Sequence, residues 1–277
     1  MDAPYFSIII PTLNEERFLP KLLKDLQKQK EKSFETIVID GHSSDKTLEL
    51  AQDFSLPIYV HSVTKRNVSF QRNWGARHAR GRYLIFLDAD SRINMYFIGN
   101  CFKAMRSNKS LIFIPLFHVS KKYYQDSIIF SLANFFIEVS QNFGRPISAG
   151  GSMIFEKEYF HFLGGFNEKL FFSEDYEIVS RARKYGVCAY VLKNVKITFS
   201  MRRFKKEGHF NVFKKYALAW LYHFSNNSGG IYKKIFDYKM GGSNYPLLEK
   251  KLKVKKISHY FDELKHQLTL FINEFNE

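Results

Sequence analysis

Cysteine is scarce in this chain. Cys101 and Cys188 are the two cysteines among 277 residues. They are too few for a disulfide framework and lack metal-ligand spacing, so they indicate a reducing compartment. Long apolar runs are missing as well. The most apolar stretch, 128–137, is interrupted by Ser131 and Asn134 and falls short of the roughly 20 residues a membrane span needs. The N-terminus has no basic stretch leading into an apolar one, so no secretory leader is expected. The expected location is cytoplasmic. No G-x-G-x-x-G occurs, which disfavours a dinucleotide fold, and no G-x-x-x-x-G-K-[ST], which disfavours a P-loop nucleotidase. Cys/His clusters, internal repeats and low-complexity segments are likewise absent.

What remains is an ordinary globular composition, 45% apolar and 25% charged, long enough to bury a sizeable core. Phenylalanine is over-used at 29, beside 16 tyrosines, so the core or an interface is aromatic-rich. The net charge of +15 is unevenly spread. Residues 202–256 hold 14 basic side chains against three acidic ones. A region so biased should face something anionic: a lipid surface, a phosphorylated substrate or nucleic acid.

The first half alternates β-rich runs (5–10, 35–40, 58–61, 83–88, 111–115) with helical patterns (18–29, 46–52, 69–79, 95–107). Leu19, Leu22, Leu23 and Leu26 set the helical period of the first. Such alternation predicts an α/β fold, a mostly parallel Rossmann-like sheet with helices on both faces. Ligands of such sheets bind outside the carboxyl ends of the strands. Further on, 127–141 reads as an apolar helix, 153–155 as a short strand, 175–185 as a helix, 196–199 as strand-like and 210–224 as a helix. Gly241 to Asn244 reads as a linker, and an apolar stripe from Ile257 to Phe275 follows it. The expected division is a catalytic domain at 1–205, with halves at about 1–115 and 116–205, then a basic helical region at 206–277.

The most informative run is Leu84-Ile85-Phe86-Leu87-Asp88-Ala89-Asp90, a buried strand ending in two carboxylates. Spaced two apart, they point the same way on an extended backbone. Like charges on one face call for a cation, and hard carboxylate oxygens suit Mg²⁺ or Mn²⁺. The plainer alternative is that Asp90 caps the next helix. Three other pieces converge on this one: Ile8-Ile9-Ile10-Pro11-Thr12-Leu13-Asn14-Glu15, then Ile37-Val38-Ile39-Asp40-Gly41-His42-Ser43-Ser44-Asp45-Lys46-Thr47, and Phe172-Ser173-Glu174-Asp175. Gln71-Arg72-Asn73-Trp74-Gly75 precedes the acidic pair. In this order and at these spacings the set resembles the family 2 glycosyltransferases with the GT-A fold, over roughly residues 5–200. It resembles more loosely the subgroup that acts on lipid-linked or membrane-associated acceptors.

That resemblance implies an inverting, metal-dependent transfer from a UDP- or GDP-sugar to an acceptor hydroxyl. Asp40 would accept the ring N–H of the base, with Pro11, Thr12, Leu13 and Glu15 lining the pocket. Asp90 would be the principal ligand of Mn²⁺ or Mg²⁺, and Asp88 would touch the ribose or orient the metal. Arg72 would stand near the diphosphate, or be an exposed helix charge. Asp175 would be the base, with Glu174 holding the acceptor or sharing that role; both also suit a helix N-terminus. Gly151, in Gly150-Gly151-Ser152, would let substrate approach the backbone closely. Many relatives carry a metal-binding His near residue 200, but here Ser200-Met201-Arg202-Arg203 stands there. The third protein ligand is thus unassigned, and Arg202 or Arg203 would grip the diphosphate instead.

Two alternatives stay open at this stage. A nucleotidyltransferase can share the sheet, though the Pro-Thr-Leu-Asn-Glu turn is not a glycine-rich basic loop. A nucleic-acid-binding protein would use the charge, but Phe204, Phe210, Phe213, Trp220 and Tyr222 recur at helical spacing rather than as a stacking platform. No nucleic-acid partner is expected. A peripheral contact with an anionic membrane is.

Overall fold

The structure is a computed structural model that describes residues 3–120, 123, 127–142, 146–148, 151–170, 173–208 and 211–212. Gly150, Phe172, the predicted helix at 210–224 apart from residues 211–212, the linker at 241–244 and the stripe at 257–275 lie outside the described residues.

The elements run β1 (Phe6–Thr12), α1 (Leu19–Gln27), β2 (Phe34–Asp40), α2 (Thr47–Gln52), β3 (Ile58–Ser62), α3 (Val68–His78), β4 (Tyr83–Phe86), β5 (Arg92–Ile93), α4 (Phe97–Ser107), β6 (Ile112–His118), α5 (Ser127–Ser140), β7 (Ile154–Glu156), α6 (Lys157–Phe162), α7 (Glu174–Lys184), β8 (Tyr190–Thr198) and α8 (Arg202–Glu207). The chain divides into two units. The first is 1–200 with 238–244; the second is 201–237 with 245–277, of which α8 is the described element.

One sheet of eight strands, ordered β3-β2-β1-β4-β7-β6-β8-β5, organises the first unit. β1 pairs in parallel with β2 and β4, and β2 with β3. Every residue of β1 and β2 is buried, as expected for parallel strands covered on both faces. β7 then runs antiparallel to both β4 and β6. β8 is parallel to β6, with a break in register between Pro115 and Leu116, and β5 is antiparallel to β8.

The alternation of β1 distributes its side chains to two cores. Ile8 and Ile10 pack with Leu22, Leu23 and Leu26 of α1 and Ile98 of α4. Ile9 packs with Ala76 of α3 and with Ile178 and Val179 of α7. Helix α3 lies very close to the sheet: a Cβ on Gly75 would come within 2.6 Å of Ile9 Cγ2. The strand expected to run through Asp88 ends instead at Phe86. A turn closed by Ser91 N–H donating to the Asp88 carbonyl (2.9 Å) takes over there.

Candidate active site

The site grows from the carboxyl ends of β1, β2 and β4. Where β1 and β2 end, Asn14 and His42 adopt left-handed backbone angles, φ +53° and +62°. Non-glycine residues accept that conformation at a cost of the order of 1–3 kcal/mol, and only where the surroundings enforce it. Side chains do the enforcing here. Ser43 Oγ accepts the Asn14 N–H (2.8 Å), and Asn14 Oδ1 accepts the Ser44 N–H (2.8 Å). Asp40 accepts from Ser43 N (2.8 Å), Ser43 Oγ (2.5 Å) and Thr12 Oγ1 (3.1 Å). An ionised carboxylate offers about four acceptor positions, so one remains on Oδ2. Gln71 seals the floor by donating to the carbonyls of Thr12 (2.8 Å) and Ile39 (2.7 Å). Pro11, Thr12, Leu13 and Glu15 are all buried along this edge.

The acidic run exits two strands away, across β1, a separation of about 10 Å at ordinary strand spacing. Ala89 is buried while Asp88 and Asp90 are partly exposed. Asp88 is held above the usual carboxylate range by its desolvation, against the pull of Arg72 and with a further push from the charge of Asp90. The two carboxylates therefore repel each other.

Arg72, on α3, is buried, so it is not an exposed helix charge. Its side chain is 2% exposed; Nη2 donates to Asp88 Oδ1 (2.8 Å) and Nη1 to Glu174 Oε1 (2.7 Å). Desolvation alone would lower its pKa, but the two carboxylates more than compensate and hold it charged. Its guanidinium thus ties the acidic run at the end of β4 to the acidic start of α7. Gly151 makes room for it. At φ +61°, a Cβ there would lie 2.1 Å from Arg72 Nη2, so that space is filled by the guanidinium.

Helix α7 opens on Ser173, itself left-handed at φ +60°, and brings three acids into its first turn. Negative charge is favoured at that end. Asp175 is 8% exposed. It accepts from Tyr176 N (2.8 Å) and Gly151 N (3.3 Å). Burial, and then the charge of Glu174, push its carboxyl up to about 6. Arg72, Asp88, Gly151, Glu174 and Asp175 are therefore joined by direct contacts. Arg202 and Arg203 open α8 in the second unit.

The donor set suits a divalent cation in part. Asp88 and Asp90 supply hard oxygens, and their mutual repulsion is what a cation would relieve. Among the described residues, no group of three or more His, Cys, Asp or Glu is arranged to hold a metal. Remaining ligands would have to come from a bound phosphate or water, as Mg²⁺ commonly arranges.

Sequence reasoning missed a second bracket. Asn73 Nδ2 donates to the Phe166 carbonyl and Asn73 Oδ1 accepts the Phe166 N–H, both at 2.8 Å. This fixes the ring that Arg72 lies over, 5.4 Å from its centroid. The available signal was the polar triplet Gln71-Arg72-Asn73. Three successive helical residues span some 200° of arc, too much for one solvent face on a helix packed against a sheet.

Known proteins resemble the chain in sequence and in fold. A PGL/p-HBAD biosynthesis glycosyltransferase of Mycobacterium bovis (strain BCG / Pasteur 1173P2) is 39% identical over 97 residues, 34% of this chain and 38% of its own length. A 4,4'-diaponeurosporenoate glycosyltransferase of Staphylococcus haemolyticus (strain JCSC1435) is 31% identical over 172 residues, 54% of this chain and 44% of its own. The chain thus spans less than half the length of these curated relatives. Mannosyltransferase PcManGT from Pyrobaculum calidifontis, solved with GDP-Man and Mn²⁺, superposes with a TM-score of 0.64 at 19% identity, over 83% of this chain and 66% of that one. S. aureus TarS with UDP-GlcNAc gives 0.56 at 19% identity, over 83% and 69%. At such identity these likenesses establish the GT-A fold. The sequence pattern of the Glycosyl transferase family 2 matches residues 7–164, stopping short of Glu174 and Asp175. That match takes in more than half of the chain and nearly all of the strands that build the site, and by it the chain belongs to glycosyl transferase family 2.

Proposed function

We propose that the protein moves a sugar from a nucleotide-diphosphate sugar to an acceptor hydroxyl, inverting the anomeric centre. The observation that carries this reading is the buried Arg72 bridge. It locks a carboxylate beside the opening of β4 to a carboxylate beside Asp175. A donor-side and an acceptor-side group are thereby held in one frame, as an in-line displacement requires.

Asp175 is the base. The acceptor hydroxyl donates to its carboxylate and attacks the anomeric carbon from the face opposite the leaving group. Its proton passes to Asp175 as the new C–O bond forms. The bond from anomeric carbon to phosphate oxygen breaks, and its electron pair leaves with the nucleoside diphosphate. A carboxyl raised to about 6 remains ionised at neutral pH and is a better proton acceptor than an ordinary aspartate. Glu174, pinned by Arg72, raises the basicity of its neighbour and orients the acceptor. Asp90 and Asp88 would hold a divalent cation, Mn²⁺ or Mg²⁺, which when bound neutralises charge on the leaving diphosphate. Thr12, Leu13, Glu15 and the remaining acceptor position of Asp40 form the base pocket. Residues 1–115 serve the donor, 116–205 the acceptor, and the basic region at 206–277 lies against an anionic membrane that presents a lipid-linked acceptor. The donors named for the solved relatives, GDP-Man and UDP-GlcNAc, support a purine or pyrimidine nucleotide sugar.

A thermal-shift screen of UDP-, GDP- and dTDP-sugars with and without Mn²⁺ tests the donor half. A ligand that binds only the folded protein raises its Tm. One donor class should raise Tm in a Mn²⁺-dependent way, and Asp90→Ala should abolish the Mn²⁺ dependence. A full Mn²⁺-dependent shift in Asp90→Ala would remove Asp90 from the metal site. Product NMR that shows retention at the anomeric carbon would overturn the single-displacement reading.

A further inference from the structure

Helix α5 carries an apolar face that none of the described residues covers. Ile128, Leu132, Phe135 and Phe136 are 64, 51, 58 and 59% exposed. They fall at helical positions i, i+4, i+7 and i+8, which form one stripe, and Ser131 and Ala133 are exposed beside them. Elsewhere among the described residues, large exposed apolar side chains occur singly or in neighbouring pairs, which is normal for a soluble surface. A contiguous stripe of two phenylalanines, a leucine and an isoleucine is not. The opposite side of α5 is firmly held. Ile137 is buried, Phe130 packs on Phe199 at 5.3 Å, and the Asn134 amide bonds both the N–H (3.0 Å) and the carbonyl (2.6 Å) of Phe117. The stripe is therefore presented outward by a fixed helix.

We infer that this face of α5 inserts into the surface of an anionic lipid bilayer. Charge selects that occupant over a second copy of the chain. The protein carries a net +15, so pairing two copies brings like charge together, whereas an anionic bilayer relieves it. The one charged residue of α5, Glu138, is neutralised by Lys193 at 2.7 Å. Strand β8 packs beside α5 and exposes Lys196 as well. The flank of the stripe is thus cationic and the stripe itself uncharged. At 14 residues the helix is about 21 Å long, too short to span a bilayer and suited to lying in its interface.

The placement has a direct connection to the site. Ile147 is stapled to the end of α5, its N–H to Ser140 Oγ and its carbonyl from Gln141 Nε2, both at 2.8 Å. Four residues later Gly151 meets Asp175. A helix resting in the interface is thus tied, through Ile147, to the segment that leads to Gly151 beside the proposed base. The inference rests on the membrane-facing part of the proposed function, and extends it from the basic C-terminal region to the catalytic unit.

The test uses the full chain and vesicles of neutral phosphatidylcholine with and without phosphatidylserine. Wild-type protein should co-sediment with the anionic vesicles, and part of that binding should persist at high salt, where lysine contacts are screened. Phe135→Ser/Phe136→Ser should lower the salt-resistant partition about tenfold or more, while Phe135→Leu/Phe136→Leu should retain most of it. Both pairs are exposed, so an unchanged Tm checks the fold. Leu132→Trp, read against wild type, should be quenched by brominated acyl chains. Wild-type binding with no loss in the serine variant and no quenching would overturn the α5 inference and leave the C-terminal docking intact. Absence of any binding to anionic vesicles would overturn both. A wild-type dimer in lipid-free solution that the serine variant converts to monomer would assign the face to self-association and overturn the inference.

Discussion

Asp175 holds an ionisable proton where the fold makes ionisation costly. It accepts two backbone N–H bonds, but these do not offset desolvation and the adjacent Glu174, so its carboxyl lies at about 6 against an ordinary 3.8. Turnover should therefore rise with pH through about 6 and level off, because only the ionised form can take the acceptor's proton. Asp175→Asn keeps the shape and removes the basicity. It should lower kcat by roughly two orders of magnitude or more and leave the donor-induced Tm shift in place; normal turnover by this variant would leave Asp175 a helix-capping residue only. Stability should respond in the opposite sense to pH. Between 3.8 and about 6 the folded state keeps a proton that the unfolded chain has lost, so stability falls as pH rises through that window. The same Asn variant should therefore gain Tm over wild type at about pH 8 and gain little or nothing below about pH 4. Calorimetry at the two pH values separates these outcomes.

At the scale of elements, α3 is the part everything else depends on. It carries Gln71, Arg72 and Asn73 to three different anchor points, and it can do so only by lying close on β1. Gly75 to Ala in an ordinary exposed helix gains up to about 1 kcal/mol. Here the added methyl would meet Ile9 at 2.6 Å, so Gly75→Ala should lower Tm, by a few degrees or more. A rise in Tm would show that the helix can shift away at little cost. The long periodic elements were legible in the sequence: α1, α3, α4 and α5 lie within two residues of their predicted ends. Four elements were not. β5 is two residues long and α6 and α8 six each, too short to show a period. β8 begins six residues earlier than read, because the break in its register against β6 disrupts its alternation. The candidate carboxylates were legible because each sits at a strand or helix end. The role of Arg72 was not, since its partners lie 16 and 102 residues away and nothing local marks a helix residue as their bridge.

For the whole molecule, charge and topology matter more than any one contact. The lysines at 250, 251, 253, 255 and 256 can each contribute about 1 kcal/mol near an anionic leaflet. Replacing all five by Gln should weaken binding to anionic vesicles at low salt and flatten its salt dependence; an unchanged salt profile would exclude the cluster from docking. The sheet order has a different kind of consequence. β4 is flanked on one side by β1, but its other neighbour, β7, is encoded about 70 residues later. On a ribosome adding roughly 5–20 residues per second, the Tyr83–Phe86 edge spends something like 4–14 seconds without the strand that covers it. A nascent chain of this protein therefore carries an open, wholly apolar sheet edge until Ile154 emerges, and that interval is when its yield depends on the company it keeps in the cell.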